Sequence, residues 1–437
     1  MKKNSTIGLW LMIVTFPLFS FAEQEQTVGS DTQTFENEIN QKIEVLAEEV
    51  SNIKSGFELF PKVGEGKYGL APAASKIYQV DKGVSIGGYG VMLYENFAKK
   101  NQSDAASGTI DQIDFLRNII YLGYRFDDHF VFNSEIEFEH GSTSAGTGSV
   151  SVEFAYIDYL HSDLLNVRAG MILIPMGFVN ELHEPITFLS TERPYTETSM
   201  IPSTWRSNGI GLFGGNDALT YRAYLVNSLD ATGIGGSPAA GFSSSGIRDG
   251  RQKAAKAAMM DVAFTGRLDF HRVKGLIIGG SFFVGQTGQD FIDTLGNQAD
   301  AFLAIVEGHL DYRIEGLQFR SLFAYSWLTD AWDVSQAVGD TVAREMFGFY
   351  AEAGYDILHF LDTNQKLKPY FRYEKVHNQH RIPAGLVQDQ AQNRNIYSMG
   401  LNYQPMDLIV VKAGYQIHRN QASTGVNQWN VSLGYVF

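Results

Sequence analysis

Ionised side chains recur at alternate positions in one stretch after another of this 437-residue chain. The basic ones on one parity are Arg117, Arg125, Arg168, Arg222, Arg267, Arg313, Arg320, Arg372 and Lys412. Carboxylates share that parity, among them Glu135, Glu137, Glu139, Asp158, Asp269, Glu307, Asp311, Glu352 and Glu374. Such a set does no covalent chemistry. It can screen solutes, because a wet surface carrying both signs on opposite walls makes a transverse field that favours polar, dipolar molecules. If instead the two signs pair locally, they only satisfy one another. Both arrangements fit the sequence.

Other chemistries find little support. The ten histidines are scattered, and no serine sits in a Gly-x-Ser-x-Gly elbow. His183-Glu184 invites a metal, yet the two are adjacent and no third ligand is spaced to join them. The chain has no cysteine, which removes disulfides, thiolate metal sites and a cysteine nucleophile. A net charge of −14 argues against nucleic acid as a partner. The reading is of no enzyme, no cofactor and no metal.

Strands must position these residues. The final stretch, Asn427–Phe437, places Trp429, Val431, Leu433, Tyr435 and Phe437 on one face and Asn430, Ser432 and Gly434 on the other. No later element could cover the apolar face. That fits lipid on one side and water on the other, although the edge strand of a soluble sandwich would carry the same alternation. From Val84 onward sixteen such strands can be placed, joined by connections that alternate between short and long. A meander of hairpins with turns on one rim and loops on the other does this. The expected fold is all-β: a 16-stranded antiparallel transmembrane β-barrel over 84–437. An even count puts both ends of the barrel on the short-turn rim.

Residues 1–22 read as a cleaved signal peptide, with Lys2, Lys3, an apolar run and Ser20-Phe21-Ala22. Within 23–57, Ile39, Ile43, Leu46, Val50, Ile53 and Phe57 follow a 4-3-4-3-4 spacing. That is an a/d seam, too short to stand alone, which fits a parallel bundle in an oligomer or a helix packed on its own barrel. Residues 58–83 read as a linker.

Two connections stand out. Pro175–Asn208 is long and aperiodic, as functional loops often are. Folded inward it would narrow the channel; otherwise it is a surface loop between subunits. The second, 229–257, ends in Arg248, Arg251, Lys253 and Lys256, which either draw anions to the mouth or meet anionic lipid headgroups.

The run Phe154-Ala155-Tyr156-Ile157-Asp158-Tyr159, then Val167-Arg168-Ala169-Gly170 and Ile174-Pro175-Met176-Gly177, resembles the phosphate-selective porin O and P family. Thr187–Arg193 and Trp205–Gly211 continue the likeness, and the helical heptad is similar to that of trimeric dicarboxylate-type porins. The resemblance implies a homotrimer of sixteen-stranded channels, each constricted by an inward loop, with Arg168, Arg193 and Arg206 facing solute. Unlike the phosphate-specific members, this loop has no lysine and four glutamates.

The expectation is an outer-membrane porin, a passive channel for small hydrophilic solutes, anions among them. Its partners are outer-membrane lipid, the solutes and its own copies. A structural or adhesive barrel with a plugged lumen is the alternative. The residues expected to line or narrow the channel are Arg117, Arg168, Glu181, Glu184, Glu192, Arg193, Glu197, Arg206, Arg222, Arg267, Arg313, Arg320, Glu352, Arg372 and Lys412.

Overall fold

A computed structural model describes residues 37, 39–47, 66–143, 146–233, 239–292, 296 and 298–437. The chain divides into two compact units, Met1–Glu58 and Leu59–Phe437. In the first, residues 39–47 form a helix (α1) on which Ile39, Ile43 and Leu46 are exposed. This is the beginning of the expected seam. Val50, Ile53, Phe57 and residues 1–22, where a signal peptide is expected, lie outside the described residues.

The second unit is a closed antiparallel barrel of sixteen strands. They are β1 (Gly83–Phe97), β2 (Gln112–Arg125), β3 (Phe130–Glu139), β4 (Ser149–Leu160), β5 (Asn166–Leu173), β6 (Arg206–Gly215), β7 (Leu219–Asn227) and β8 (Val262–Phe270). Then come β9 (Leu276–Gln286), β10 (Phe302–Ile314), β11 (Leu317–Leu328), β12 (Glu345–Tyr355), β13 (Lys366–Arg381), β14 (Asn393–Met406), β15 (Ile409–Asn420) and β16 (Gln428–Val436). A short helix, α2 (Ala331–Val338), sits in the loop before β12. Pro405 and Met406 extend β14, so the turn into β15 is Asp407-Leu408.

Each strand pairs with its sequence neighbours, and β1 closes on β16, with Tyr89 opposite Val436 and Phe97 opposite Gln428. Closure removes the unpaired edge that hydrocarbon would not tolerate. The alternation reads true at the chain end: Trp429, Val431, Leu433 and Phe437 point outward and are exposed, while Asn430 and Ser432 are buried inside. The seam itself is tight. A Cβ on Gly88 would lie 2.7 Å from the Phe437 ring, and one on Gly90 would lie 2.4 Å from Tyr435. Backbone bonds lock it, with Gly88 N–H donating to Phe437 O (3.0 Å) and Phe437 N–H to Gly88 O (2.9 Å).

The lumen is not simply wet. On the β5–β12 side, inward Ile172, Tyr224, Phe283, Ile305, Leu322 and Tyr350 pack with Trp205, Phe242, Ile247 and Val334 from the long loops into one apolar cluster. A second cluster forms around the stretch expected as a linker. Leu70, Ala73, Ile77 and Tyr78 are buried against Tyr89, Ile119, Tyr121, Phe154 and Tyr156. The described part of 58–83 therefore folds against the inner wall. This accounts for the weak alternation of β1, whose inward Tyr89 and Leu93 face protein rather than water.

Candidate functional site

The long loop runs from Ile174 to Trp205, bounded by β5 and β6, and it crosses the lumen. Its neck is pinched shut by Ile174 N–H donating to Trp205 O (2.9 Å). The Asn180 amide staples the same place, donating to Ile174 O (2.7 Å) and Trp205 O (2.8 Å) and accepting from Trp205 N–H (2.7 Å). Glu197 is an internal hub. One carboxylate oxygen accepts the N–H of Phe178 (2.6 Å) and of Val179 (2.7 Å), and the other accepts the Tyr350 hydroxyl of β12 (2.5 Å).

Wall charges then moor the loop. Arg267 donates to Gly177 O, and the Phe178 ring lies under Arg320 (4.4 Å) with an edge-to-face contact to His309 (4.8 Å). Across the lumen, Arg372 donates to the Ser190 hydroxyl and to Glu192 O, and Lys412 donates to Phe188 O (2.9 Å) and Ser190 O (3.0 Å). Glu374 accepts from Tyr195 N–H (2.6 Å). Charge-assisted bonds of this kind are roughly twice as strong as neutral ones. The second long loop braces the first: Arg248 donates to the Ser203 hydroxyl (2.9 Å) and Arg251 to Thr204 Oγ1 (3.0 Å). So only Lys253 and Lys256 of that basic cluster are exposed.

Glycine makes the close approaches possible. Added Cβ atoms would lie 2.6 Å from Thr196 at Gly348, 2.7 Å from Leu189 at Gly354 and 2.5 Å from Pro185 at Gly434. These inward glycines of β12 and β16 give the loop its track along the wall.

The His183-Glu184 pair holds protein rather than metal. His183 pairs with Glu135 (3.0 Å), while one Glu184 oxygen accepts the N–H groups of Ala73 (2.9 Å) and Ala74 (3.0 Å). Among the described residues no group of three potential ligands could hold a metal ion. Burial alone would lower the His183 pKa, but the Glu135 carboxylate lifts it to about 9. Burial pushes the Glu184 carboxyl up to about 7, against the opposing pull of the Ala74 N–H.

The fifteen candidate residues separate into three groups. Seven are buried and locally paired: Arg168 with Asp158 (2.8 Å), Arg206 with Glu153 (2.7 Å), Arg222 with Asp269 (2.7 Å) and Glu181 (3.4 Å), Arg320 with Asp311 (2.5 Å), and Arg372 with Glu352 (3.3 Å). Arg168 is further capped by the Tyr78 hydroxyl (3.0 Å) and the Tyr156 ring (3.9 Å). Its expected solute-facing role does not fit that cover, and Arg206 is equally buried. Glu184, Glu197, Arg267 and Lys412 are the moorings described above. Four are less completely covered: Glu192 and Arg193 at the loop's far bend are half-buried, Arg117 has 14% of its side chain exposed although it lies 3.1 Å from Glu137, and Arg313 is exposed at 50%. Buried polar atoms without a protein partner occur near the same bend, at Thr191 Oγ1, Glu192 Oε1, Arg193 Nη1 and both amide atoms of Asn430, and also on the other side, at Trp205 Nε1, Tyr224 OH and Gln286 Oε1. Such atoms call for water. The inner wall that meets this bend, β13 to β2, is polar.

Sequence reasoning passed over Asn180, Phe178 and the inward glycines, since nothing local marks a staple, an anchor or a track.

No protein-family model matches the chain, so the likeness to the phosphate-selective porins rests on its residues alone. A protein of Aquifex aeolicus (strain VF5), described only as uncharacterized, is 38% identical over 368 residues, covering 82% of this chain and 80% of that one. Among solved structures, Salmonella typhi OmpF in complex with daunomycin aligns with 83% of this chain and 99% of its own at a TM-score of 0.51 and 13% identity. Outer-membrane-expressed OmpT of Vibrio cholerae covers 82% and 98% at a TM-score of 0.50 and 10% identity. At these identities the likeness is one of fold.

Proposed function

The chain belongs to one family with the uncharacterized Aquifex aeolicus protein, and from that premise we propose that it is an outer-membrane porin. In this reading it is a narrow passive channel for small hydrophilic solutes, reached by export through a cleaved signal at residues 1–22. The observation that carries the proposal is the pairing of an apolar outer wall with a charged lumen crossed by a moored loop. Solutes pass on the β13 to β2 side and are screened at the bend carrying Glu192 and Arg193. The exposed Ile39, Ile43 and Leu46 of α1 support a homotrimer whose helices bury that seam together. Purified protein in a planar bilayer should give steps of ion conductance, and chemical cross-linking should stop at three copies.

The internal apolar cluster favours a second reading, a barrel whose lumen is permanently filled and whose rim serves as a binding or structural surface. A reconstituted, heat-modifiable barrel that passes no current would decide for it.

A further inference from the structure

On the short-turn side of the loop the lumen widens into a cavity of about 1340 Å³. Its two sides differ in chemistry. One carries apolar groups, Tyr68 and Leu70 of the inserted segment beside Leu164 and Phe213 with Leu182 and Ile186 of the loop as a roof, together with Asp163, Asp217 and the mutually paired Glu181, Arg222, Arg267 and Asp269. Across from it, β10, β11 and β13 present Arg313, Gln318, Lys366 and Lys368. Arg313 is engaged by Asp311 (2.9 Å) and Lys366 by Asp407 (2.6 Å). Lys368 has no carboxylate within ion-pair distance among the described residues; its ammonium has only the Gln318 amide oxygen, at 3.4 Å. A partly buried cation with no counter-ion, facing apolar groups, is an incomplete ion pair.

We propose that this cavity binds an amphiphilic monoanion: a carboxylate on an aromatic or short aliphatic body. The carboxylate takes the Lys368 ammonium and the Gln318 amide, and the body lies on Tyr68, Leu164, Leu182 and Ile186. A lone ammonium beside an amide suits one negative charge. Phosphate recognition favours a free bidentate guanidinium, and here Arg313 is already spent on Asp311. The site narrows the solute class of the channel proposed above and rests on that reading only for its physiological sense, since binding does not require conduction.

The test uses the full-length protein in a neutral detergent, titrated calorimetrically with 4-phenylbutyrate, 4-phenylbutylamine, acetate and inorganic phosphate. Phenylbutyrate should bind saturably, and the other three at least tenfold more weakly. K368M should weaken phenylbutyrate at least fivefold, while Arg193→Glu, at the other face of the loop, should leave it unchanged. If K368M does not fold, Gln318→Ala should still weaken binding severalfold. Absence of saturable phenylbutyrate binding to the folded protein overturns the proposal, as does phosphate binding equally well or an unchanged affinity in the folded Lys368 or Gln318 variant. Bilayer recordings keep the two ideas apart. Binding without conductance sinks only the porin, and conductance without binding sinks only this site.

Discussion

The two sides of the lumen are built on different rules. Toward the long-loop rim, inward Ile172, Tyr224, Phe283, Ile305, Leu322 and Tyr350 of β5 to β12 are apolar and covered, so the long loops pack there as they would in a soluble core, while nearer the short turns the same strands carry the paired Arg168, Arg222, Arg267 and Asp311. From β13 through β16 to β2 the inward residues include Arg372, Lys412, Gln416, Asn430 and Arg117, and the loop is held there by hydrogen bonds to its carbonyls. The interior is thus apolar where the long loops pack on β5 to β12 and polar where the loop meets β13 to β2. A closed wall does not decide whether its interior conducts; the side chains behind the loops decide it.

Breaking the apolar packing should cost most. Trp205 is fully buried against Phe283 at 4.6 Å, and Trp205→Ala should remove about 3–5 kcal/mol, the usual toll for a large aromatic. The readout is a fall in the unfolding midpoint in detergent. Glu197→Ala comes next. It strands the Phe178 and Val179 N–H groups and the Tyr350 hydroxyl, at about 1–3 kcal/mol for each group left unsatisfied. With the loop loosened, single-channel current should rise and grow noisy; a quiet, unaltered current would mean the loop does not limit flow.

The third perturbation is pH. His183 is held at about 9, above its ordinary value, and Glu184 at about 7, above that of a free carboxyl. A raised pKa means stability that is complete below the unfolded value and lost as pH rises through the folded one. Both loop groups therefore push the same way, and the unfolding midpoint should fall between pH 5 and pH 9. His183→Gln should flatten that slope above pH 7. The smallest structural effect belongs to the polar side. Arg193→Glu should change stability by about 0.5 kcal/mol or less, as surface substitutions do, yet it should shift the reversal potential in a salt gradient toward cations. Arg206→Ala should do the reverse, costing stability through the orphaned Glu153 while moving selectivity little.

The wall was legible because its physics is local. Period two, a charge penalty on the lipid face and sorted connection lengths are all written into short windows, and Asn427–Phe437 alone shows the two faces. The inward fold of the long loop was among the readings the sequence left open. What stayed hidden depends on partners far away in the chain. Nothing near Glu197 reveals Tyr350, nothing near Glu184 reveals Ala73, and the first strand alternates poorly because an inserted segment covers it. The charges were legible as inward but not as paired, because pairing depends on register between strands, such as Asp158 opposite Arg168.

The clasp between Gly88 and Phe437 sets a timetable for assembly. The first and last strands are the most distant in sequence, so their union is the slowest contact to find. Once the Phe437 ring lies over the bare backbone of Gly88, the wall is continuous, and the long loops reach the interior only through the mouth at their own rim. A substitution that crowds this clasp would leave β1 and β16 as two open edges, each a row of unpaired backbone groups inviting another chain.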